Sequence, residues 1–313
     1  MASDSEPVIL LGSLSMSEPV KAVFDLVPEI ALLASLPEHL RKRFTHALQQ
    51  MHADIDESHT WEQIATQSAI SPYHFHRQFT ELFNETPGQY MGRLRLQVAV
   101  NRLLNEPSGS ILDIAQQCGF STSQSLAKAL KRELGVTAKT IRKMGVKCTP
   151  QETSDFIAKL SHPGSSVSLE AELAQSMPTE RIWYPKRGIK KVTLDNPDWD
   201  SVFESHGKKS VRLLAATPID QLERSWEDIE TFIGDWQVDE VQYDFFIPEG
   251  YYLCADIYLL SDVAYGAALE ALFDIAKQQQ LEVDPQAFLI EMVRDIELTL
   301  TGGVTFSFQL PIR

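Results

Sequence analysis

The chain has 313 residues, 43% hydrophobic and 23% charged, which excludes a disordered polymer and leaves room for about two domains. It carries 28 Lys and Arg against 43 Asp and Glu, and the net charge of −15 taken whole argues against nucleic-acid binding. That charge is uneven: residues 36–147 hold 14 basic and 10 acidic side chains, a net of +4, whereas 148–313 hold 13 and 28, a net of −15. Residues 1–35 carry one base and five acids, a net of −4. A mildly basic middle beside a strongly acidic C-terminal half implies two domains with different partners.

Residues 1–37 read as an N-terminal arm, with Ser, Pro and Glu around the short apolar run Val8–Leu11. Phe24 to Leu36 is expected to form a short apolar helix interrupted near Pro28. Residues 38–147 have a helical pattern throughout, punctuated at Pro72, Pro87-Gly88, Pro107, Gly109, Gly119 and Gly135. Residues 148–166 have the composition of a linker, with Pro150, a short helix around Phe156 to Leu160, and His162-Pro163-Gly164. From 167 to 313 the pattern is α+β: β-type runs at Arg181–Tyr184, Val211–Ala215, Val241–Ile247, Tyr251–Leu260, Phe288–Val293 and Val304–Leu310, and helices at Trp199–His206 and Tyr265–Gln280.

Cys118, Cys148 and Cys254 are widely spaced with no CxxC, so neither a disulfide framework nor a zinc site is expected. His74 and His76 would point ~200° apart on a helix and cannot share one metal. No run approaches the ~20 apolar residues of a membrane span. The first residues are acidic where a secretion signal is basic. The expectation is a cytoplasmic protein with no cofactor, no metal, no membrane partner and no catalytic residues.

The strongest signal is an internal repeat. Thr60 to Ser71 aligns with Ser110 to Ser121 at an offset of 50, and Phe75, Phe79 and Phe83 answer to Leu126, Leu130 and Leu134 at 51. Each copy reads as a helix-turn-helix: a capping Thr60 or Ser110, an inward Ile-Ala pair, a turn, and a second helix starting at Ser71 or Ser121 with one apolar stripe. On the face opposite the stripes lie Tyr73, His76 and Arg77 in the first copy, and Ser123, Gln124, Ser125 and Lys128 in the second. Such side chains read base edges, while Arg93, Arg95, Lys131 and Arg132 are placed for phosphates.

These residues resemble the AraC/XylS family of bacterial transcription regulators. The resemblance runs over about residues 38–144 and rests on Ile64-Ala65, Ser71-Pro72-Tyr73-His74-Phe75-His76-Arg77-Gln78-Phe79, Thr86-Pro87-Gly88-Gln89-Tyr90, Arg93-Leu94-Arg95-Leu96 and Ile111 to Ser121. It implies a tandem helix-turn-helix domain, joined by a long helix over roughly Thr86 to Asn105, whose two second helices enter successive major-groove segments of double-stranded DNA. The second copy departs from the family pattern at Lys128, Leu130, Ala138 and Ile141, which places more base specificity in the first. RNA polymerase is a further candidate partner.

In the C-terminal half, Tyr243 to Pro248 parallels Phe306 to Pro311 at an offset of 63, suggesting two βαββ units that enclose a cleft. Tyr243-Asp244, Ile247 to Tyr252, the helix with Leu269, Leu272 and Phe273, and the terminal Phe308 to Arg313 resemble the GyrI-like effector-binding domain. That resemblance implies a small-molecule effector. The family's pocket glutamate is Ser307 here, which favours a neutral aromatic effector over a cation. Asp244, Phe246, Ser307 and Gln309 are the expected floor, with Trp226, Tyr251 and other aromatics (Trp236, Tyr243, Tyr252) as walls. Two alternatives stay open for this half: a small-molecule hydrolase and a protein-interaction module.

Overall fold

Capping side chains set the helices of the first half. The computed structural model describes residues 23–53, 55, 59–106, 108–164, 167–194, 198–297 and 302–313; Val8–Leu11 of the expected arm lies outside these. Its helices are α1 (Pro28–Leu33), α2 (Glu38–Ala53), α3 (Trp61–Gln67), α4 (Pro72–Phe83), α5 (Pro87–Asn105), α6 (Ile111–Gln117), α7 (Ser123–Leu134) and α8 (Ala138–Lys147). Thr60, Ser71, Thr86, Ser110, Thr122 and Thr137 each accept a backbone N–H at a helix start. Pro72 and Pro87 occupy first-turn positions, where a missing N–H costs nothing.

Two small cores result. Phe75, Phe79 and Phe83 pack with Phe44, Ile64, Ala65 and Tyr90, and Leu126, Leu130 and Leu134 pack with Ile114, Ala115 and Leu103. The long helix α5 serves both, giving Tyr90, Met91 and Leu94 to the first and Leu96, Val100, Leu103 and Leu104 to the second.

The segment from Phe24 differs from its expected interrupted helix. Phe24–Asp25 is a strand, β1, and Pro28 begins α1 rather than breaking it, because proline suits the first helical turn. In a few residues the chain passes from Leu26, in the core of the C-terminal sheet, to Leu33, in the first helical core. The linker stretch is also docked: α9 (Pro150–Ile157) starts on a Thr149–Glu152 capping box, a 3₁₀ turn follows at Ala158–Leu160, and Phe156 and Leu160 are buried in the second helical core.

After α10 (Leu169–Ala174) come β2 (Glu180–Tyr184), β3 (Arg187–Lys191), α11 (Trp199–His206), β4 (Leu213–Pro218), β5 (Phe232–Asp235), β6 (Phe245–Ile247), β7 (Gly250–Leu259), α12 (Asp262–Gln278), β8 (Phe288–Ile296) and β9 (Val304–Ile312). They form one nine-stranded sheet ordered β1-β7-β9-β8-β4-β5-β3-β6, with β2 also on β7. The two-residue turn at Pro185-Lys186 joins β2, beside β7, to β3, near the far edge, so the sheet curls. One face packs on α12 through Leu253, Ala255, Phe306, Phe308 and Leu310. The other closes on itself through Tyr184, Ile189, Leu214, Ile247, Tyr252, Ile290 and Met292. Strands β3 and β5 have no counterpart in the expected strand list, and the run expected at Val241–Ile247 is a strand only at its end.

Candidate nucleic-acid interface and ligand face

The two helix pairs α3/α4 and α6/α7 share a turn geometry. Ile70 N–H donates to the Ala65 carbonyl at 2.9 Å, and Phe120 N–H donates to the Ala115 carbonyl at 2.8 Å. The residue before each donor is left-handed: Ala69 at φ 57° and Gly119 at φ 72°. At Gly119 a Cβ would stand 2.4 Å from the Ile55 carbonyl oxygen and 2.8 Å from Arg95 Nε, so only glycine fits. The second copy's extra residue sits at the cap: α7 starts after Thr122, not at Ser121.

On α4, Tyr73 is 72% exposed and Arg77 is exposed beside it, while His76 rests on Trp61 with ring centroids 5.3 Å apart. These four residues, with Thr80 and Glu81, line a shallow surface groove. On α7, Gln124 and Lys128 are exposed and Ser123 is half-buried. Ser125 is occupied locally, because its hydroxyl and N–H complete the Thr122 capping box. Lys131 Nζ donates to the Gly135 carbonyl at the end of α7, and Arg132 pairs with Glu133; both remain on the surface.

Arg93 and Arg95 require correction as phosphate ligands. Arg93 is buried between the units, its Nη2 2.6 Å from Glu85 Oε1 and its Nη1 donating to the Leu160 carbonyl. Burial alone would lower its pKa, yet the bonded Glu85 carboxylate outweighs that and raises it. Arg95 is half-buried, and its Nε donates to the Ile55 carbonyl under Gly119. Both hold helices together.

The expected ligand floor is divided by the fold. Ser307 and Gln309 are buried and lie on the self-closed face, alternating with Phe306 and Phe308 toward α12. Asp244 and Phe246 do not join them: Phe245 and Ile247 point inward, Phe246 is 48% exposed, and Asp244 Oδ1 accepts from Lys191 N–H. Strand β6 is a three-residue edge, and its alternation runs opposite to that of β9. Trp226 is also no pocket wall; its Nε1 donates to Thr153 Oγ1 and its N–H to the Cys148 carbonyl, docking the sheet half on α9. Tyr251 is exposed, whereas Tyr252 is buried against Tyr184.

Two polar features had no clear sequence signal. Glu291, on the helix-packed face, accepts from Trp199 Nε1 at 2.7 Å and Tyr265 Oη at 2.5 Å, and burial raises its pKa against those bonds. Where the halves meet, His162 donates its backbone N–H to Glu170, and its Nδ1 stands 2.8 Å from Glu170 Oε1. Its Nε2 is 3.1 Å from Glu29 Oε1, close enough for an ion pair though off the line of a hydrogen bond. Tyr90 Oη donates to the same Glu29 oxygen at 2.7 Å, and His52 Nε2 lies 2.8 Å from Tyr90 Oη. Burial alone would push Glu29 up and His162 down. Their mutual attraction, with Glu170, outweighs it, holding Glu29 well below the usual carboxylate range and His162 up at about 9.

Residues 64–144 match the family described as a helix-turn-helix domain. Over 86 residues the chain is 34% identical to the HTH-type transcriptional regulator Rv1931c of Mycobacterium tuberculosis, covering 28% of this chain and 33% of that one. Over 105 residues it is 33% identical to the HTH-type transcriptional activator RhaS of Escherichia fergusonii, covering 34% and 37% respectively. A solved AraC-type regulator from Chromobacterium violaceum aligns at TM-score 0.32 and 26% identity, covering 35% of this chain and 96% of that one. The chain thus spans about a third of the length of the curated relatives it matches. The helical region carries a helix-turn-helix domain over residues 64–144, and a separate sheet-rich region follows it. No described helix is long and apolar enough to cross a membrane.

Proposed function

We propose that the chain is a cytoplasmic, sequence-specific transcription regulator that reads DNA through α4 and α7 and senses a small molecule with its C-terminal half. The observation that carries the DNA reading is the duplicated turn, which sets two helices with buried apolar stripes and exposed polar faces at either end of α5. Tyr73, His76 and Arg77 on α4 contact bases, as do Ser123, Gln124 and Lys128 on α7. Lys131 and Arg132 contact phosphates. The domains of this reading are 38–147 for DNA and 167–313 for the effector. The GyrI-like resemblance and the buried polar groups of the self-closed sheet face support the sensing role.

The test is fluorescence anisotropy of the full chain on a DNA site selected from random sequence, across a salt series. The logarithm of affinity should fall linearly with the logarithm of salt, because each neutralised phosphate releases counterions. Absence of any DNA binding at low salt would overturn the reading.

A further inference from the structure

On the self-closed sheet face, β3 presents Arg187 and Lys191 on the same side as the buried Ile189. Arg187 lies at the turn where the sheet closes. Its guanidinium carbon sits 4.2 Å from the Tyr184 ring centroid and 5.1 Å from that of Tyr252. Its Nη1 donates to Gln309 Oε1 at 2.7 Å, across to the centre of the sheet.

Arg187 also hydrogen-bonds the Tyr252 side chain, which tempers the rise that burial causes in that phenol's pKa, but the outer edge of the guanidinium is unfinished. Arg187 Nε and Nη2 are buried without a hydrogen-bond partner, as is Gln309 Nε2, on a side chain with no solvent exposure. Among the described residues no carboxylate forms an ion pair with Arg187. Asp256, opposite Ser307 in register, is not joined to it. Lys191 Nζ rests on the Phe232 and Phe245 rings, at 4.3 and 5.2 Å, again without an ion pair among the described residues. Folded proteins seldom leave buried donors unpaired, and an uncompensated buried charge is costlier still. The missing complement is an acceptor-only group of negative charge. The Nε–Nη2 edge is the side of a guanidinium that takes a carboxylate with two parallel bonds. The tyrosines and the aliphatic face beside it suit a flat apolar body.

We propose that Arg187 and Gln309 form a binding site for a small organic carboxylate with an aromatic body. The carboxylate accepts from Arg187 Nε and Nη2 and from Gln309 Nε2, while the ring packs beside Tyr184 and Tyr252. This replaces the neutral effector expected from sequence with an anionic one. It rests on the sensing role proposed above only for its biological meaning, since binding is measured separately.

The probes are 1-naphthoate, its neutral counterpart 1-naphthamide, and the benzyltrimethylammonium cation, titrated calorimetrically into the full chain. Naphthoate should bind at least tenfold more tightly than naphthamide, and the cation most weakly. Arg187→Gln should abolish the preference. Gln309→Glu places an internal carboxylate beside the guanidinium, so it should abolish naphthoate binding and raise the melting temperature. Equal affinity for naphthoate and naphthamide would overturn the proposal, as would naphthoate binding that survives Gln309→Glu. Naphthoate binding with unchanged DNA affinity would uphold this site and overturn the sensing role. A neutral or cationic probe that shifts DNA affinity where naphthoate does not bind would do the reverse.

Discussion

Arg77 and Arg93 share a residue type and differ in what surrounds them. Arg77 stands exposed on α4 beside Tyr73, free to meet a base edge, whereas Arg93 is enclosed by Glu85, Tyr90 and Leu160. Arg77→Ala should therefore cost ~1–3 kcal/mol on the selected DNA site and relax sequence preference at one position, leaving the melting temperature unchanged. Arg93→Ala strands Glu85 as a buried charge and should cost ~3–5 kcal/mol of stability. Comparing anisotropy with urea unfolding of the two variants checks both; a stable Arg93→Ala protein with lost DNA affinity would restore Arg93 to the interface. The exposed positions of Tyr73, Arg77, Gln124 and Lys128 were legible in the sequence because the buried stripes fix the opposite face. The sequence hid the role of Arg93, whose partners come from the loop between α4 and α5 and from the turn after α9, and that of Arg187, whose partner Gln309 lies 122 positions away.

Elements with a local cause were readable, and elements without one were not. Each Ser or Thr cap and each apolar stripe in α3, α4, α6 and α7 depends on residues three or four apart, so the helices follow from neighbours in sequence. Strands β3 (Arg-Gly-Ile-Lys-Lys) and β5 (Phe-Ile-Gly-Asp) have no alternating pattern of their own and exist through pairing with β4 and β6. The duplicated turn offers a matched pair of tests. Gly119→Ala puts a Cβ against the Ile55 carbonyl in a left-handed conformation and should destabilise by more than ~2 kcal/mol. Ala69 already bears that left-handed strain, so Ala69→Gly should be neutral or stabilise by up to ~1 kcal/mol. Equilibrium unfolding gives both numbers, and equal effects at the two positions would show that the turns are not equivalent.

At the scale of the molecule, the halves are joined by buried charge rather than by a flexible tether. Glu29 enters from the N-terminal segment, Tyr90 from α5, Glu170 from α10, and His162 lies between them. Around this core, Asn101 donates to Asp200, and Lys147 pairs with Glu227. The pH dependence of stability follows from the directions of the shifts. His162 is raised from 6.5 to about 9, so its contribution is whole below 6.5 and is lost as pH climbs through 9. Glu29 is depressed, so its contribution is present above 4.5 and lost only in acid. Asp262 works separately: burial, with Asp200 and Asp198 nearby, raises it from 3.8 to about 7, so its ionisation lowers stability across that interval. As pH rises the melting temperature should therefore fall in two stretches, one between about 3.8 and 7 through Asp262 and one between about 6.5 and 9 through His162. His162→Gln should remove the upper fall and keep the lower; Asp262→Asn should shrink the lower, to which the raised Asp200 and Glu291 also contribute, and keep the upper. Calorimetric scans of the full chain at half-unit pH intervals resolve the two. An upper step that persists in His162→Gln would mean that the junction holds His162 neutral and that the Glu29 carboxylate is balanced by another group.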